Sequence, residues 1–306
     1  MSEMTILSKG QIFGNEQLNI FKEYGTKAAI TDFAILLGGY VSEDHYASSL
    51  RKLEDRTGWY WTLTKEKYGD VNIVFHGGSI LYNSVDSRIG GVRPTLMASL
   101  ILDSKIQRVR NEFDILEVQY GEYPQNAVSK ELSIILEQNY PNLKQTGKTY
   151  TTDSIRYVES DNRAFRGYPH VEYEYSGKRY VRVKANLNRN STLLSNGVSV
   201  KNDKYTWVEV EPITWLVDEK TGIMVSKKII CSGVRFDKVR GGYNGKFNDT
   251  ELKMFLDEYL SKEIGLASKT IEPIPEKEFE TEEEIDEYIA TKIAEARKRL
   301  TLLGKK

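Results

Sequence analysis

The sequence Gly58-Trp59-Tyr60-Trp61-Thr62 begins an aromatic segment that continues through Val71-Asn72-Ile73-Val74-Phe75 to Gly90-Gly91-Val92-Arg93-Pro94. A second segment of the same kind runs from Gly121-Glu122-Tyr123-Pro124-Gln125 to Trp207-Val208-Glu209-Val210-Glu211-Pro212-Ile213-Thr214-Trp215. Short runs of aromatic and β-branched residues that end at Gly or Pro indicate strands closed by turns. The two segments therefore predict a rigid, irregular, β-rich body.

The residues around these segments add helices and hairpins. The apolar run 30–37, which stops at two glycines, and the spacing of Leu and Ile over residues 129–137 each predict a helix. Residues 172–183 alternate around a Ser-Gly turn and predict a hairpin, with Tyr and Val toward the core and Glu, Lys and Arg toward water. Residues 250–264 predict an amphipathic helix. The expected fold class is α+β.

Composition excludes several classes of protein. In 306 residues, a hydrophobic share of 40% and a charged share of 28% are ordinary for a soluble globular protein. A net charge of −1 gives no general attraction to nucleic acid or to an anionic membrane. The single cysteine, Cys231, excludes an internal disulfide framework and a cysteine-based zinc site. We expect no metal and no cofactor.

The N-terminal residues and the apolar runs bear on location. The first ten residues lack the basic stretch and long apolar run of a signal peptide. The longest apolar runs, near residues 33–37 and 96–102, are far too short to span a bilayer. These features predict a cytoplasmic protein with no membrane partner.

The C-terminal tail differs from the rest of the chain. Residues 270–277 carry two prolines and predict an extended linker, and Thr281-Glu282-Glu283-Glu284 forms a capping box that opens a helix to about Leu300. Acidic residues cluster at the start of this helix and basic residues at its end, which suits the helix dipole. One apolar stripe runs along it. We expect a protruding helix that docks on the body of its own chain or on another copy. In the second case the C-terminal helix would form a homo-oligomer.

The aromatic segments carry a resemblance. The residues from Trp59 to Pro94 resemble the closing half of a bacterial domain-of-unknown-function family, which is similar to C-type-lectin-like and formylglycine-generating-enzyme-like folds. The residues from Gly121 to Gln125 and from Glu211 to Trp215 resemble the opening half. In most members we expect the opening half first, whereas here it comes second. The resemblance implies two partial units, a permuted unit or a composite protein.

The expected organisation follows from this order. We predict a C-type-lectin-like body in two portions, residues 1–118 and 119–268, followed by the linker and charged helix at residues 269–306. The sequence leaves open whether the two portions form one domain or two. Relatives in such a family resemble accessory proteins of bacteria and their mobile elements, so the resemblance implies a phage-related or defence-related interactor.

Three residues of the first segment are candidates for ligand binding. Trp59 and Trp61 share one face of a strand, where they would stack a sugar, a base or a partner side chain. Burial in the core is the favoured alternative, because buried Trp is common in such folds. Arg93 would clamp a carboxylate or phosphate, but an Arg after two glycines more often ties down a turn.

A Gly-rich loop supplies the other binding candidates. Arg240, Tyr243 and Lys246 lie in a basic, aromatic stretch that suits contact with nucleic acid or with a partner. Together with Arg235 and Lys238 they form an alternative hypothesis of nucleic-acid binding, which the net charge does not favour. A flexible surface loop with no function is the other interpretation.

Enzymatic residues are less well indicated. The histidines are His45, His76 and His170, and no two of them have the spacing of a zinc site on a helix. We expect His76 and His170 to be exposed. A hydrolase or modifying enzyme with His76, Arg93 and Cys231 in its site is an alternative hypothesis. A small buried strand residue is the favoured interpretation of Cys231, and no catalytic residue is assigned.

The leading hypothesis is a non-enzymatic binding module. A rigid aromatic scaffold would present loops near residues 62–70, 185–204 and 237–248 to a macromolecule. We expect this partner to be a protein, with nucleic acid as the less favoured alternative.

Overall fold

The computed structural model describes residues 4–42, 56–98, 108–110, 115–153, 165–238 and 243–266. In this part of the chain the architecture is mixed α+β and rich in strands, as the sequence predicted. The predicted linker and C-terminal helix, residues 269–306, lie outside the described residues.

The strands in chain order are β1 (Ala28–Ile30), β2 (Thr57–Gly58), β3 (Tyr60–Lys65), β4 (Val71–Val74), β5 (Ile80–Asn83), β6 (Thr95–Met97), β7 (Arg108–Arg110), β8 (Ile115–Ala127), β9 (Lys144–Thr152), β10 (Tyr168–Tyr175), β11 (Lys178–Lys184), β12 (Ser191–Leu193), β13 (Ser199–Lys201), β14 (Tyr205–Asp218), β15 (Ile223–Ser226) and β16 (Lys228–Ile229). The α-helices are α1 (Lys9–Phe13), α2 (Asn19–Tyr24), α3 (Asp32–Leu36), α4 (Lys130–Asn139), α5 (Glu251–Phe255) and α6 (Ser261–Glu263).

The helices are short, and their ends follow from local side chains. The hydroxyl of Thr31 accepts the N–H of Ala34 at the start of α3, and that of Ser129 accepts the N–H of Leu132 at the start of α4. A π-helical turn, Leu256–Leu260, separates α5 from α6 within the stretch predicted as one helix. In the described part of the chain, no helix is long and apolar enough to cross a membrane.

The main sheet is built around β14. One edge of β14 pairs with β11 over its first residues and with β15 over its last, while β8 pairs along the other edge. The described strands follow the order β6-β15-β14-β11-β10-β9, with β8 and β7 beside β14, and every one of these pairs is antiparallel. The central position of β14 matches the burial of most of its residues, among them Trp207, Ile213 and Trp215.

Two register shifts interrupt the pairing of β8 with β14. They fall between Val208 and Val210 and between Pro212 and Thr214. Pro124 pairs with Val210, next to the first shift, and Pro212 adjoins the second. Proline has no N–H to donate, so strands tolerate it at such irregular positions. The Tyr-Pro-Gln and Glu-Pro-Ile motifs therefore mark the place where the long strands bend.

The two portions defined from the sequence contribute to one sheet and one hydrophobic core. Strand β6 of the first portion pairs with β15 of the second, with Met97 opposite Ile223. Strand β1 runs parallel to β16, with Ile30 opposite Ile229. The largest cluster of buried apolar side chains also draws on both portions. The boundary placed between residues 118 and 119 lies inside β8.

Both faces of the β10–β11 hairpin are covered. Helix α4 covers one face, where a cluster of buried side chains includes Leu136, Tyr173 and Trp207. On the other face, Glu172 is buried and accepts the hydroxyl of Tyr150 at 2.5 Å and that of Thr146 at 2.7 Å. The expectation that the Glu residues of this hairpin face water is therefore wrong for Glu172. The alternation of apolar and polar residues along the hairpin does not show that other elements also cover the face that carries Glu172.

A smaller antiparallel sheet is formed by β3, β4 and β5. All four residues of β4 are buried, whereas Leu81 and Tyr82 of β5 are exposed. This sheet holds Tyr60 and Trp61 on β3, with Trp59 just before the strand, and the hairpin of β4 and β5. Its edge strand and its two ends reach the surface.

Candidate functional site

The proposed aromatic platform is not at the surface. Trp59 and Trp61 are 3% and 1% exposed, and their rings meet edge to face with centroids 4.9 Å apart. The ring of Phe236 packs 5.6 Å from that of Trp61. Both indoles are therefore core residues, and the expectation that they stack an external ligand does not fit their burial.

Arg93 is held inside the fold as well. Its Nε donates to the carbonyl of Ser226 at 3.0 Å, and a terminal guanidinium nitrogen donates to the hydroxyl of Tyr60 at 3.1 Å. The guanidinium carbon lies 5.1 Å from the centre of the Tyr60 ring and 5.4 Å from that of Phe21. At 3% exposure this side chain ties the segment before β6 to β15 and β3, and it does not reach a ligand at the surface.

Cys231 and His76, which the enzyme alternative names beside Arg93, differ in their burial. Cys231 is fully buried, and burial raises the pKa of its thiol to about 12, so the thiol stays protonated at neutral pH. His76 is half-buried, and its ring stacks on Tyr40 with centroids 5.4 Å apart.

His170 is buried, contrary to the expectation that it is exposed. It is 2% exposed, its Nε2 lies 2.9 Å from the hydroxyl of Thr152, and the Phe33 ring meets it edge to face. Burial lowers the pKa of His170 to about 4, so the imidazole is neutral at physiological pH. His45 lies outside the described residues.

A buried carboxyl group, Glu263, was not singled out from the sequence. One of its oxygens accepts the N–H of Thr151 at 2.6 Å, which joins α6 to β9. Burial raises the pKa of Glu263 to about 7, against the opposing effect of the Thr151 hydrogen bond. Tyr123 and Cys231 are close enough to feel its charge. In the described chain, no three His, Cys, Asp or Glu side chains are grouped to hold a metal ion.

Fewer side chains of the basic segment 235–246 are available to bind nucleic acid than its sequence indicated. Arg235 is 1% exposed and makes two hydrogen bonds to the carboxylate of Glu251, each 3.0 Å long. Tyr243 is 2% exposed, and Arg240 lies outside the described residues. Lys238 and Lys246 are exposed. Two of the five residues named for nucleic-acid binding are therefore committed to internal contacts.

The most exposed aromatic side chains of the described structure lie on the small sheet. Tyr68, between β3 and β4, is 90% exposed, and Tyr82 and Leu81 on β5 are 67% and 46% exposed. Asn83 of β5 pairs with Val71, the first residue of β4, so Tyr82 lies at the end of the sheet that carries Tyr68. We call Tyr68, Leu81 and Tyr82 the β5 surface.

Tyr68 is held outward by a constrained loop. Its backbone has φ 63° and ψ 16°, a left-handed conformation that is uncommon for residues other than glycine, asparagine and aspartate. The amide of buried Asn72 donates to Glu66 at 2.6 Å, and the N–H of Glu66 donates to the carbonyl of Asp70 at 2.8 Å. These bonds close the loop and leave the Tyr68 side chain in solvent. Conformations of this kind cost about 1–3 kcal/mol and are concentrated at functional sites.

Two of the loops named from the sequence meet at this end of the sheet. The hydroxyl of Tyr243 donates to the carbonyl of Leu63 on β3 at 3.3 Å. A Cβ at Gly245 would lie 3.9 Å from the side chain of Lys65, so the two segments are neighbours. The 62–70 and 237–248 loops thus flank one surface, with Lys246 exposed beside it.

The third loop reaches the opposite end of the same sheet. Residues 185–204 contain the small hairpin of β12 and β13. The guanidinium carbon of Arg189 lies 5.5 Å from the centre of the Tyr40 ring, and that ring stacks on His76 in the turn between β4 and β5. The first two predicted display loops therefore flank this sheet, and the third is linked to its β4–β5 turn through Tyr40. The sequence did not single out Tyr68, whose only signal is a lone aromatic residue in the polar stretch from Lys65 to Asp70.

Comparison of the chain with known family models, with curated proteins and with solved structures finds no match.

Proposed function

We propose that this chain is a non-enzymatic binding module that presents the β5 surface to a protein partner. The observation that carries the proposal is the exposure of Tyr68, Leu81 and Tyr82 around one edge strand of a sheet whose central strand, β4, is buried. Aromatic residues that stay exposed on a rigid frame are typical anchors of protein interfaces.

The edge of β5 supports the same proposal. Within the described residues, β5 pairs only with β4, and none of its four side chains carries a charge. Exposed edge strands are usually protected by charge, proline or a covering element, because an open edge recruits other strands. An extended segment of a partner would pair with this edge and pack apolar side chains against Leu81 and Tyr82.

Site-specific photo-crosslinking tests the proposal. A benzophenone amino acid is placed at Tyr68 in one sample and at Tyr205 in another, since Tyr205 is also exposed, at 48%, but lies at the start of β14. After irradiation in a lysate of the source organism, we expect a protein that is crosslinked from position 68 and not from position 205. Identical products from both positions, or none from position 68, would contradict the proposal.

Two double variants test the same proposal by mutagenesis. Tyr68→Ser with Tyr82→Ser removes the exposed rings, and Tyr24→Ser with Tyr205→Ser is the matched control. We expect the first double variant to lose the crosslinked protein in a pull-down and the second to retain it. Both sets of substitutions are at exposed positions, so both proteins should fold.

A further inference from the structure

A second site lies away from the β5 surface, where the two register shifts separate β8 from β14. The opening is a cleft of about 230 Å³. It is lined mainly by polar residues of β8, of the middle of β14 and of the segment around β16: Gln119, Gln125, Asn126, Glu211, Pro212, Ile213, Thr214, Lys227, Lys228 and Ile230. The volume equals that of roughly eight molecules of liquid water, so it suits a small metabolite.

Some of these polar groups are already used by the fold. The amide nitrogen of Gln125 donates to the carbonyls of Glu211 and Pro212 at 3.1 and 2.7 Å. The backbone and side-chain nitrogens of Asn126 both donate to the same carboxylate oxygen, Oε2 of Glu211, at 3.0 and 2.8 Å. These bonds fix the wall of the cleft and orient the carboxyl group of Glu211.

Other groups in the cleft remain available. In the described structure, no hydrogen bond is made by Oε1 of Glu211 or by the side chains of Gln119, Thr214 and Lys228. Lys227 differs, since its ammonium group pairs with Glu117 at 2.8 Å. The cleft therefore offers one carboxylate oxygen, one ammonium group, an amide and a hydroxyl without internal partners.

The two charges restrict the class of ligand. Burial, the largest effect, and the negative charge of Glu209 raise the pKa of Glu211, while the hydrogen bonds from Asn126 and the positive charge of Lys228 lower it. An anionic ligand would be repelled by Glu211 and a cationic ligand by Lys228. A neutral ligand would leave both charges further desolvated and unpaired. A molecule that carries one ammonium and one carboxylate group satisfies both.

We propose that the cleft binds a free amino acid, with its ammonium group on Glu211 and its carboxylate on Lys228. Gln119 and Thr214 then contact the side chain, and their amide and hydroxyl groups favour a polar one such as that of serine or glutamine.

The test compares matched ligands on the wild-type protein. Binding of L-glutamine and L-serine is measured by saturation-transfer NMR and titration calorimetry beside their N-acetyl and carboxamide derivatives, each of which lacks one charge. We expect each derivative to bind at least about tenfold more weakly, since it loses one charged hydrogen bond. Equal affinity of a derivative, stronger binding of glucose, or no binding of either amino acid at about 10 mM would overturn the proposal.

Variants locate the site. Glu211→Gln and Lys228→Met each remove one charge of the cleft, and Lys227→Met makes the same chemical change one residue away, at an ammonium group already paired with Glu117. We expect at least about tenfold weaker binding for the first two and a change within about twofold for Lys227→Met. Unchanged binding in both Glu211→Gln and Lys228→Met would place the ligand elsewhere and overturn the proposal.

Discussion

The backbone N–H of Val92 donates to the carbonyl of Cys231 at 2.8 Å, and the carbonyl of Val92 accepts the N–H of Ile230 at 3.2 Å. This bridge joins the Gly-Gly-Val-Arg-Pro segment to the strand end that follows the Glu-Pro-Ile segment. The two aromatic segments therefore complement each other in space, although their order along the chain is the reverse of the one expected from the resemblance.

Arg93 is expected to contribute to stability and not to ligand binding. Arg93→Met leaves the carbonyl of Ser226 without its donor and removes the contacts with Tyr60 and Phe21. We expect the free energy of unfolding in urea to fall by about 2–4 kcal/mol. Arg179→Met, which breaks a partly exposed pair with Glu122, serves as the control and should cost less than about 1 kcal/mol. Similar losses in the two variants would contradict this role.

Gly91 is expected to tolerate no side chain. A Cβ there would lie 2.6 Å from the carbonyl oxygen of Trp59 and 2.6 Å from a methyl group of Ile229. That carbonyl accepts the N–H of Gly91 itself at 3.0 Å, so it cannot move away freely. We expect Gly91→Ala to lower stability by about 1–3 kcal/mol in thermal or urea unfolding. Gly77→Ala, with open space around it, should change it by less than about 0.5 kcal/mol.

Glu263 is expected to make stability fall as the pH rises toward neutrality. Its pKa is raised to about 7 in the folded protein, so the folded state holds a proton that the unfolded state releases near pH 4.5. The stability from this proton is complete below about pH 4.5 and is lost by pH 7, at most about 3 kcal/mol. We expect Glu263→Gln to be more stable than the wild type at pH 8 and similar to it at pH 4.5. An equal difference at both pH values would show that this group does not titrate there.

His170 is expected to act in the opposite direction. Its pKa is lowered to about 4 in the folded protein. As the pH falls, the unfolded state therefore binds a proton near pH 6.5, whereas the folded state binds it only near pH 4. Stability from the neutral imidazole is complete above about pH 6.5 and is lost as the pH falls to about 4. In the Glu263→Gln background, we expect a clear loss of stability between pH 6.5 and 4 that His170→Phe abolishes. Urea unfolding at several pH values measures both slopes.

Substitutions in the Arg235–Glu251 pair test whether Arg235 stabilises the fold or binds nucleic acid. Its two side chains are 1% and 10% exposed, and removal of one charge leaves the other buried. We expect Glu251→Gln to cost about 3–5 kcal/mol, and Arg235→Met with Glu251→Met to recover much of that loss. If Arg235→Met instead leaves stability unchanged and flattens the salt dependence of binding to DNA, the nucleic-acid hypothesis gains support.

Local patterns in the sequence were sufficient for several elements. The spacing of Leu132, Ile135 and Leu136 predicted α4, and the alternation around Ser176 and Gly177 predicted the β10–β11 hairpin, both of which the structure contains. These signals are local because a helix face or a tight hairpin is determined by neighbours in the chain.

Other features depend on distant residues and could not be predicted. Whether Trp59 and Trp61 are buried depends on Phe236, far along the chain. His170 and Glu172 look like surface residues of a one-sided sheet, and only the second covering layer makes them internal. The stretch around Lys148 is polar and contains a glycine, and its pairing with β10 is what makes it part of β9. The β5 surface could not be predicted either, because the sequence does not show which strand lies at the edge of a sheet.

The pairing of β6 with β15 has a consequence for how the protein folds. Met97 and Ile223 lie opposite each other although about 126 residues separate them in the chain. Contacts of such high sequence separation slow folding, because a long loop must close before they form. A nascent chain that ends before residue 223 holds β6 without its neighbour, so chaperone dependence and co-translational misfolding should rise there.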